Sequence, residues 1–390
     1  MTRTVDVVIA GARCAGAATA MLLARAGARV IVVDKGVYGT DTLSTHALMR
    51  GAVLQLHRWG VLPAIIAAGT PAVRSTRFAY SSQDVSIAIE PRDGVDALYA
   101  PRRVLLDRVL VDAATDSGAE FLFQSKATDL LHDADGRVSG LRLDTPHGPL
   151  AIRANFVIGA DGLHSTMARR VGAADVLTGH YATAVLYSYW QGLSNAGYEW
   201  HYTSRASVGA IPTNEGAHCV FVSFPAEHLS ATPGTTATEK YERLLREFPS
   251  LAPLLADARR VEPVRGFGGQ RGFLKRSTGP GWALAGDAGY FKDPLTAHGI
   301  TDALRDAELL ARAVIRGTDE ALAEYETIRH DLSHRLFEVT DRIASFVWTE
   351  PELQSLHRAF SAEMSREVRA LTTLEPLSCL SAPASALPVA

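Results

Sequence analysis

Cysteine is scarce in this 390-residue sequence: Cys14, Cys219 and Cys379 stand far apart and no C-x-x-C pair occurs. That argues against a disulfide framework and a cysteine-ligated metal site, and it suits a reducing compartment. An excess of one charge sign is also missing, since 39 Lys and Arg face 42 Asp and Glu for a formal net charge of −3. There is no basic footprint for nucleic acid and no polybasic anchor for a membrane. Long apolar runs are missing too. Residues 176–198 carry no Asp, Glu, Lys or Arg, but His180, Gln191 and Asn195 with several glycines and serines make them too polar for a membrane span. An apolar strand from residue 5 leaves no room for a signal peptide, so a cytoplasmic protein is expected. No bound metal and no internal repeat are expected.

What is present is a soluble globular balance, 47% hydrophobic and 21% charged, in a chain long enough for two domains. Residues 5–10 form a short β-branched run, followed by a glycine turn, an apolar helical pattern over 15–25 and a second strand over 29–33. Strand, glycine turn, helix and strand in so short a span make a βαβ unit with a parallel sheet. Residues 45–59 and 103–117 have helical patterns, and Phe121 and Phe123 open another strand. From Tyr181 the pattern alternates: Tyr181, Thr183, Val185, Tyr187 and Tyr189 share a face, and Tyr198, Trp200 and Tyr202 repeat it. Such antiparallel strands make a sheet with one covered face. Residues 282–285 return to a buried strand, 300–314 form a long helix, and 325–371 are mostly helical.

Three segments carry chemistry. The first is Gly11-Ala12-Arg13-Cys14-Ala15-Gly16, with Asp34 and Lys35 closing the next strand. A dinucleotide pyrophosphate needs bare backbone amides at a helix N-terminus, and glycines permit its approach. A carboxylate at Asp34 can accept hydrogen bonds from a ribose. Arg13 replaces the middle glycine of the usual fingerprint, so its side chain must turn away from the phosphates or meet them. The second is Val157-Ile158-Gly159-Ala160-Asp161-Gly162, followed by Ser165 and Arg169. The third is Gly281-Trp282-Ala283-Leu284-Ala285-Gly286-Asp287-Ala288, then Asp293-Pro294 and His298-Gly299. In the second and third, an apolar strand stops at a small residue and delivers one carboxylate.

With these three motifs in this order, the chain resembles the para-hydroxybenzoate hydroxylase-like flavoproteins, which include aromatic hydroxylases, flavin halogenases and geranylgeranyl reductases. The resemblance implies an α/β fold: a glutathione-reductase-type, Rossmann-like FAD-binding domain (1–75, 100–174 and 265–324) with an inserted antiparallel β-sheet substrate domain (76–99 and 175–264). A C-terminal helical region (325–375) and a poorly ordered tail (376–390) complete it. It implies FAD held by Gly11, Arg13, Cys14, Ala15, Gly16, Asp34, Lys35, Asp161, Gly162, Gly286, Asp287, Gly299 and Ile300. Asp161 would lie near the pyrophosphate, and Asp287 would bond a ribityl hydroxyl. Arg103, opening R-x-x-L-x-x-x-L, matches the family's arginine beside FAD, with Arg102 as the alternative.

The loop from Asp293 to Gly299 would feed a helix N-terminus facing the pyrimidine side of the flavin, where the positive helix end favours the reduced, anionic ring. Pro294 would line the place where oxygen adds. The activity so implied is a monooxygenase that consumes NADPH or NADH and O2, transferring oxygen to an electron-rich small molecule through a flavin hydroperoxide. A reductase saturating double bonds is the rival reading, and a non-turnover flavin protein a further one. Of the halogenase stretch G-x-W-x-W-x-I-P only Gly209-Ala210-Ile211-Pro212 keeps the tail. His46 and His298 are catalytic candidates against plain packing or loop-shaping roles. Tyr187, Tyr189, Trp200 and Tyr202 would line the substrate cavity, or else form sheet core. Asp302 and Asp306, at helical spacing, read as a solvated face. A monomer or homodimer is expected.

Overall fold

The structure is a computed structural model that describes residues 2–194, 197–229 and 236–377; Cys379 and nearly all of the expected tail lie outside them. Strand β1 (Thr2–Ala10) leads through the glycine turn into helix α1 (Cys14–Arg25) and back along β2 (Val30–Val33). Helices α2 (Arg50–Arg58) and α3 (Leu62–Ala67), strands β3 (Ser75–Ala79) and β4 (Asp84–Ala88), helix α4 (Arg103–Asp116) and strand β5 (Glu120–Leu122) follow. The helix expected over 45–59 begins only at Arg50. His46 takes a left-handed φ of 47°, and Leu48 forms a bridge with Tyr99 in place of a helical turn.

A meander of β6 (Lys126–His132), β7 (Val138–Thr145) and β8 (Gly148–Gly159) precedes helix α5 (Thr166–Arg170) and strand β9 (Asp175–Thr178). Next come β10 (Thr183–Gln191), β11 (Tyr198–Tyr202), β12 (Ser207–Pro212) and β13 (Ala217–Pro225), then helices α6 (Ala237–Arg246) and α7 (Ala252–Leu255). Short strands β14 (Arg259–Arg260), β15 (Arg265–Phe267), β16 (Phe273–Lys275), β17 (Thr278–Gly279), β18 (Trp282–Leu284) and β19 (Tyr290–Phe291) lead to helices α8 (Gly299–Arg316), α9 (Asp319–Ala344) and α10 (Glu350–Thr372). No described helix is long and apolar enough to cross a membrane.

The first sheet has the order β17-β18-β8-β1-β2-β5, and its centre, β18-β8-β1-β2-β5, is parallel. Its strands are apolar on both faces because helices cover one side and the β6–β7 meander the other, as buried parallel sheets require. Alanine-rich α1 is buried along almost its whole length and packs between α4 and α8, where small side chains allow close approach. The second sheet runs β14-β10-β13-β12-β11-β3-β4, with β15 beside β10. It joins residues 75–88 to residues 183–267, so β15 belongs to it although the sequence placed 265 onward in the other domain. Conversely β9 pairs with β16 in a separate three-stranded sheet.

One expectation fails here. The second sheet is covered on both faces, not one. Val185, Tyr187, Tyr189 and Phe221 point into the main core, while Leu186, Val220, Val222 and Phe224 lie under Tyr241 and Leu245 of α6. Period-two alternation shows only that two faces differ, and here they differ as aromatic against aliphatic. Each such side chain contributes roughly 1.5–3 kcal/mol by leaving water.

Candidate functional site

The glycine turn lies where β1, β2 and β8 end side by side. Gly11 has a φ of 107°, and a Cβ there would stand 2.2 Å from the Ala160 carbonyl oxygen; one on Gly16 would stand 1.8 Å from the Gly11 oxygen. Both glycines are therefore required by protein backbone before any ligand arrives. Asp34, at the tip of β2, accepts hydrogen bonds from the amides of Ala12 at 2.8 Å and Gly36 at 2.7 Å. Ala12, Arg13, Asp34, Val37, Tyr38 and Arg108 line a cleft at this end, and Lys35 is exposed beside it.

Helix α1 starts without a side-chain cap and with no acidic residue in its first turn. Helix α8 likewise receives no side-chain cap from His298, as α2, α3 and α4 receive none, whereas Ser165, Thr236 and Thr318 cap α5, α6 and α9. Free amides at the positive end of a helix suit an anion, and the pyrophosphate of a dinucleotide fits α1. Arg13 is not aimed at that end; it pairs with Asp107 of α4 at 2.9 Å. The Cys14 thiol donates to the same carboxylate at 3.2 Å, and burial pushes its pKa upward. Arg103 adds contacts to Asp107 of 3.0 and 3.1 Å. Asp107 was not singled out from sequence, although its i,i+4 spacing from Arg103 was visible.

Arg102 and Arg103 divide between the two sheets. Arg103 lies within electrostatic reach of Asp287 and Cys14. Arg102 turns the other way, pairing with Glu262 at 2.9 Å and lying 3.6 Å over the Tyr189 ring. At the second motif, Asp161 accepts from Ser165 Oγ at 2.5 Å and from the amides of Thr166 and Met167 at 2.7 and 3.1 Å, which ties it to the start of α5. Gly162 beside it has a φ of 80°.

At the third motif Gly286 has a φ of 58° and passes the first turn of α1 so closely that a Cβ would lie 3.0 Å from that of Ala15. Asp287 is half-buried. Burial and the nearby Asp302 raise its carboxyl to about 6, against the pull of Arg103 and Lys292. A Cβ on Gly299 would stand 4.0 Å from the Asp287 Oδ1, so this carboxyl faces the start of α8. Asp293 accepts from the Thr183 amide at 2.7 Å, the Thr183 hydroxyl at 2.6 Å and the Leu295 amide at 3.0 Å, anchoring the Pro294 loop to β10. Pro294 and Ile300 are half-buried, and Ala297 between them is left-handed.

The expectation for Asp302 and Asp306 is overturned: they are only 2% and 0% exposed. Asp306 accepts from the Gly286 amide at 3.0 Å, Arg305 at 2.9 Å and Arg329 of α9 at 2.8 Å. Asp302 meets Lys292 and, at 3.1 Å, Arg305, which also holds Glu367 of α10 at 2.9 Å. His298 sits among them with Nδ1 3.2 Å from Asp302 and Nε2 3.1 Å from Glu367. Burial and Lys292 push its pKa down, but Glu367 and Asp302 outweigh them and the net direction is upward. Ligand atoms of His298, Asp302 and Glu367 lie within 4.8 Å of one another, yet Lys292 and Arg305 already neutralise those carboxylates.

His46 is 1% exposed, with Nδ1 3.1 Å from the Ser44 carbonyl and its ring stacked on Tyr189 at 5.7 Å. Burial and Arg102 push its pKa down to about 3, so the imidazole is neutral. Its Nε2 has no hydrogen-bond partner among the described residues. Tyr187 accepts from the Ser44 amide at 3.4 Å, so His46, Tyr187, Tyr189 and Arg102 form one patch. Trp200 lies farther along the same face against Phe221 at 5.6 Å. Tyr202 stands apart, stacked on Tyr80 at 5.9 Å and packed 4.7 Å from His357 of α10.

Known proteins share this sequence pattern and fold. A menaquinone reductase of Mycolicibacterium smegmatis is 29% identical over 372 residues, 88% of this chain and 85% of its own. A digeranylgeranylglycerophospholipid reductase of Methanothrix thermoacetophila is 28% identical over 336 residues, 82% of each chain. Among solved structures, the flavin-dependent halogenase CmlS superposes with a TM-score of 0.78 at 20% identity, covering 94% of this chain and 70% of its own, a likeness of fold. The family described as FAD binding domain matches residues 4–340. With its uncapped helix ends, its glycine turn and its Asp34 and Asp287 carboxyls, the chain belongs to the FAD-binding domain family of flavin-dependent oxidoreductases.

Proposed function

We propose that this chain is an FAD-dependent reductase that saturates a carbon–carbon double bond in an apolar, isoprenoid-bearing substrate, with NADH or NADPH as electron donor. The observation that carries it is the match, over 82% or more of both chains, to two relatives named as reductases, of menaquinone and of digeranylgeranylglycerophospholipid. The aromatic sheet face, with Tyr187, Tyr189 and Trp200 at 2%, 2% and 6% exposure, suits a substrate without charge.

Bound FAD would supply hydride chemistry. Asp34 would hold the adenosine ribose, the α1 amides the pyrophosphate, and Asp287 a ribityl hydroxyl. Asp293 would keep the Pro294 loop fixed against β10, so that the reacting edge meets the aromatic face and not water.

Oxygen transfer is the second reading, favoured by the polar patch of His46, Tyr187, Tyr189 and Arg102 at one end of that face. Such a patch suits the oxygen of a phenol. One experiment decides between them. The purified holoprotein is given NADH or NADPH with polyprenyl quinones, geranylgeranyl lipids and phenols, in 18O2 and without oxygen. A product formed anaerobically that keeps two added hydrogens on its isoprenoid chain after any quinol has been reoxidised in air supports the reductase. A product carrying one 18O atom, formed only in air, overturns it in favour of the oxygenase.

A further inference from the structure

The N-terminus of α8 holds an arrangement that simple helix electrostatics disfavours. His298 is the residue that opens this 18-residue helix, where the aligned peptide dipoles already place positive charge. A cation there is unfavourable unless something holds it. Two buried carboxylates do so, Asp302 one turn along α8 and Glu367 from α10. Lys292 Nζ lies 3.1 Å from His298 Nδ1, where two donors would face each other; burial lowers the lysine's pKa, and Asp302 stands between the two groups and accepts from both. With His298 and Lys292 both protonated, the connected ion pairs set Lys292, His298, Arg305 and Arg329 against Asp302, Asp306 and Glu367, four minus three, one net positive charge. It is sealed: the His298 and Arg305 side chains are 0% exposed, and those of Lys292, Asp302 and Glu367 no more than 3%. Asp287, the carboxyl next to the Gly299 start of the helix, lies within the field of Asp302, Lys292 and Asp306.

We propose that α10 is part of the redox apparatus: Glu367 is a positioning residue that, with Asp302, keeps His298 an imidazolium at the mouth of α8 and thereby raises the reduction potential of the bound FAD. A flavin gains negative charge on reduction, and a fixed cation beside a helix N-terminus stabilises that charge without having to move. Both ring nitrogens of His298 lie within 3.2 Å of buried carboxylates, Nε2 by proximity to Glu367 without hydrogen-bond geometry, and neither reaches solvent, so His298 acts as a fixed charge and not as a proton donor to substrate. In this proposal His298 takes the place of a fixed charge in the site, where the sequence suggested a catalytic residue. The proposal rests on FAD binding with its reducible ring at the mouth of α8, and it holds for either activity.

The test is the two-electron midpoint potential of the bound FAD between pH 5.5 and 8.5. His298→Gln removes the cation and should shift the balance away from reduced FAD on the order of tenfold, a fall of about 30 mV for a two-electron couple. Glu367→Gln should do something different. It removes a negative charge while His298 remains protonated at low pH, so the potential there exceeds that of the unaltered protein. As pH rises His298 loses its proton, and the curve falls relative to the unaltered protein with a step near the ordinary histidine range. A merely structural role would lower stability or FAD affinity and leave the two potential–pH curves parallel. Parallel, unshifted curves for both variants overturn the proposal. Should either variant fail to fold, 15N-histidine NMR of the unaltered holoprotein decides. Both ring nitrogens of His298 should remain protonated through pH 8, and a neutral His298 at pH 7 overturns the proposal.

Discussion

Asp306 offers the sharpest test of how the buried charge is organised. Its carboxylate is 0% exposed and serves the Gly286 amide, Arg305 and Arg329 at once. Asp306→Ala would strand the buried Arg329 guanidinium and take one of three carboxylates from Arg305, a loss of about 3–5 kcal/mol by the usual cost of breaking a buried pair. It would also leave the Gly286 amide unsatisfied, at about 1–3 kcal/mol. A total near 4–8 kcal/mol approaches the whole stability of an ordinary domain, about 5–15 kcal/mol. The assay is guanidinium unfolding of the apoprotein, repeated with excess FAD, which at a hundred times its Kd restores about 2.7 kcal/mol. The control is Glu324→Ala, whose partner Arg316 and itself are each 50% exposed; it should cost under about 1 kcal/mol. An Asp306→Ala protein within about 1 kcal/mol of the unaltered one would refute the reasoning, because Arg329 would then have found another partner.

Asp287 titrates near 6, so FAD affinity should rise as pH climbs from 5 to 7 and the carboxylate becomes the stronger acceptor. Asp287→Asn should abolish that rise and weaken binding roughly 10- to 100-fold, read by flavin fluorescence titration; unchanged affinity removes Asp287 as a ligand. Buried His46 and His201 and half-buried His357 are held neutral, with values of about 3, 4 and 4. Each depressed value means that the unfolded chain takes up the proton first as pH falls below 6.5, so each withdraws about 1.4 kcal/mol per pH unit. Asp293, raised to about 6, works the other way between pH 6 and 4. The clean comparison is His357→Phe, whose stability should fall less steeply than the unaltered protein's between pH 6 and 4.5, and equal slopes would sink the argument. Gly11→Ala should prevent folding even of apoprotein, because its Cβ would stand 2.2 Å from the Ala160 oxygen at a φ of 107°; a stable apoprotein that merely binds FAD poorly would contradict this.

The parts of this fold legible in the sequence are those whose causes are local. The run from Val5 to Ala10 followed by Gly11 and an alanine-rich helix defines a βαβ unit within one short window, and the three carboxylate motifs mark where apolar strands stop. Residues 45–49 misled because their helical periodicity is overruled by the Leu48–Tyr99 bridge, a contact with another segment. Asp302 and Asp306 misled for the same reason. Their spacing is that of any exposed helix face, and only Arg329 of α9 and Glu367 of α10, distant in sequence, reveal the buried network. The division of labour between Arg102 and Arg103 was likewise invisible, since adjacent residues at a helix start point to different neighbours.

The second sheet is stitched from two stretches of chain, residues 75–88 and 183–267, and the backbone enters and leaves it twice. Four covalent passages between the lobes leave no single hinge about which one could swing, and Asp293 adds a fifth tie by clasping the Pro294 loop to β10. A body sewn to its neighbour in this way opens poorly as a jaw. Traffic in and out must therefore be carried by small parts: a ring that slides, a loop such as 41–46 that lifts from Tyr187, or a long flexible substrate that threads its way in.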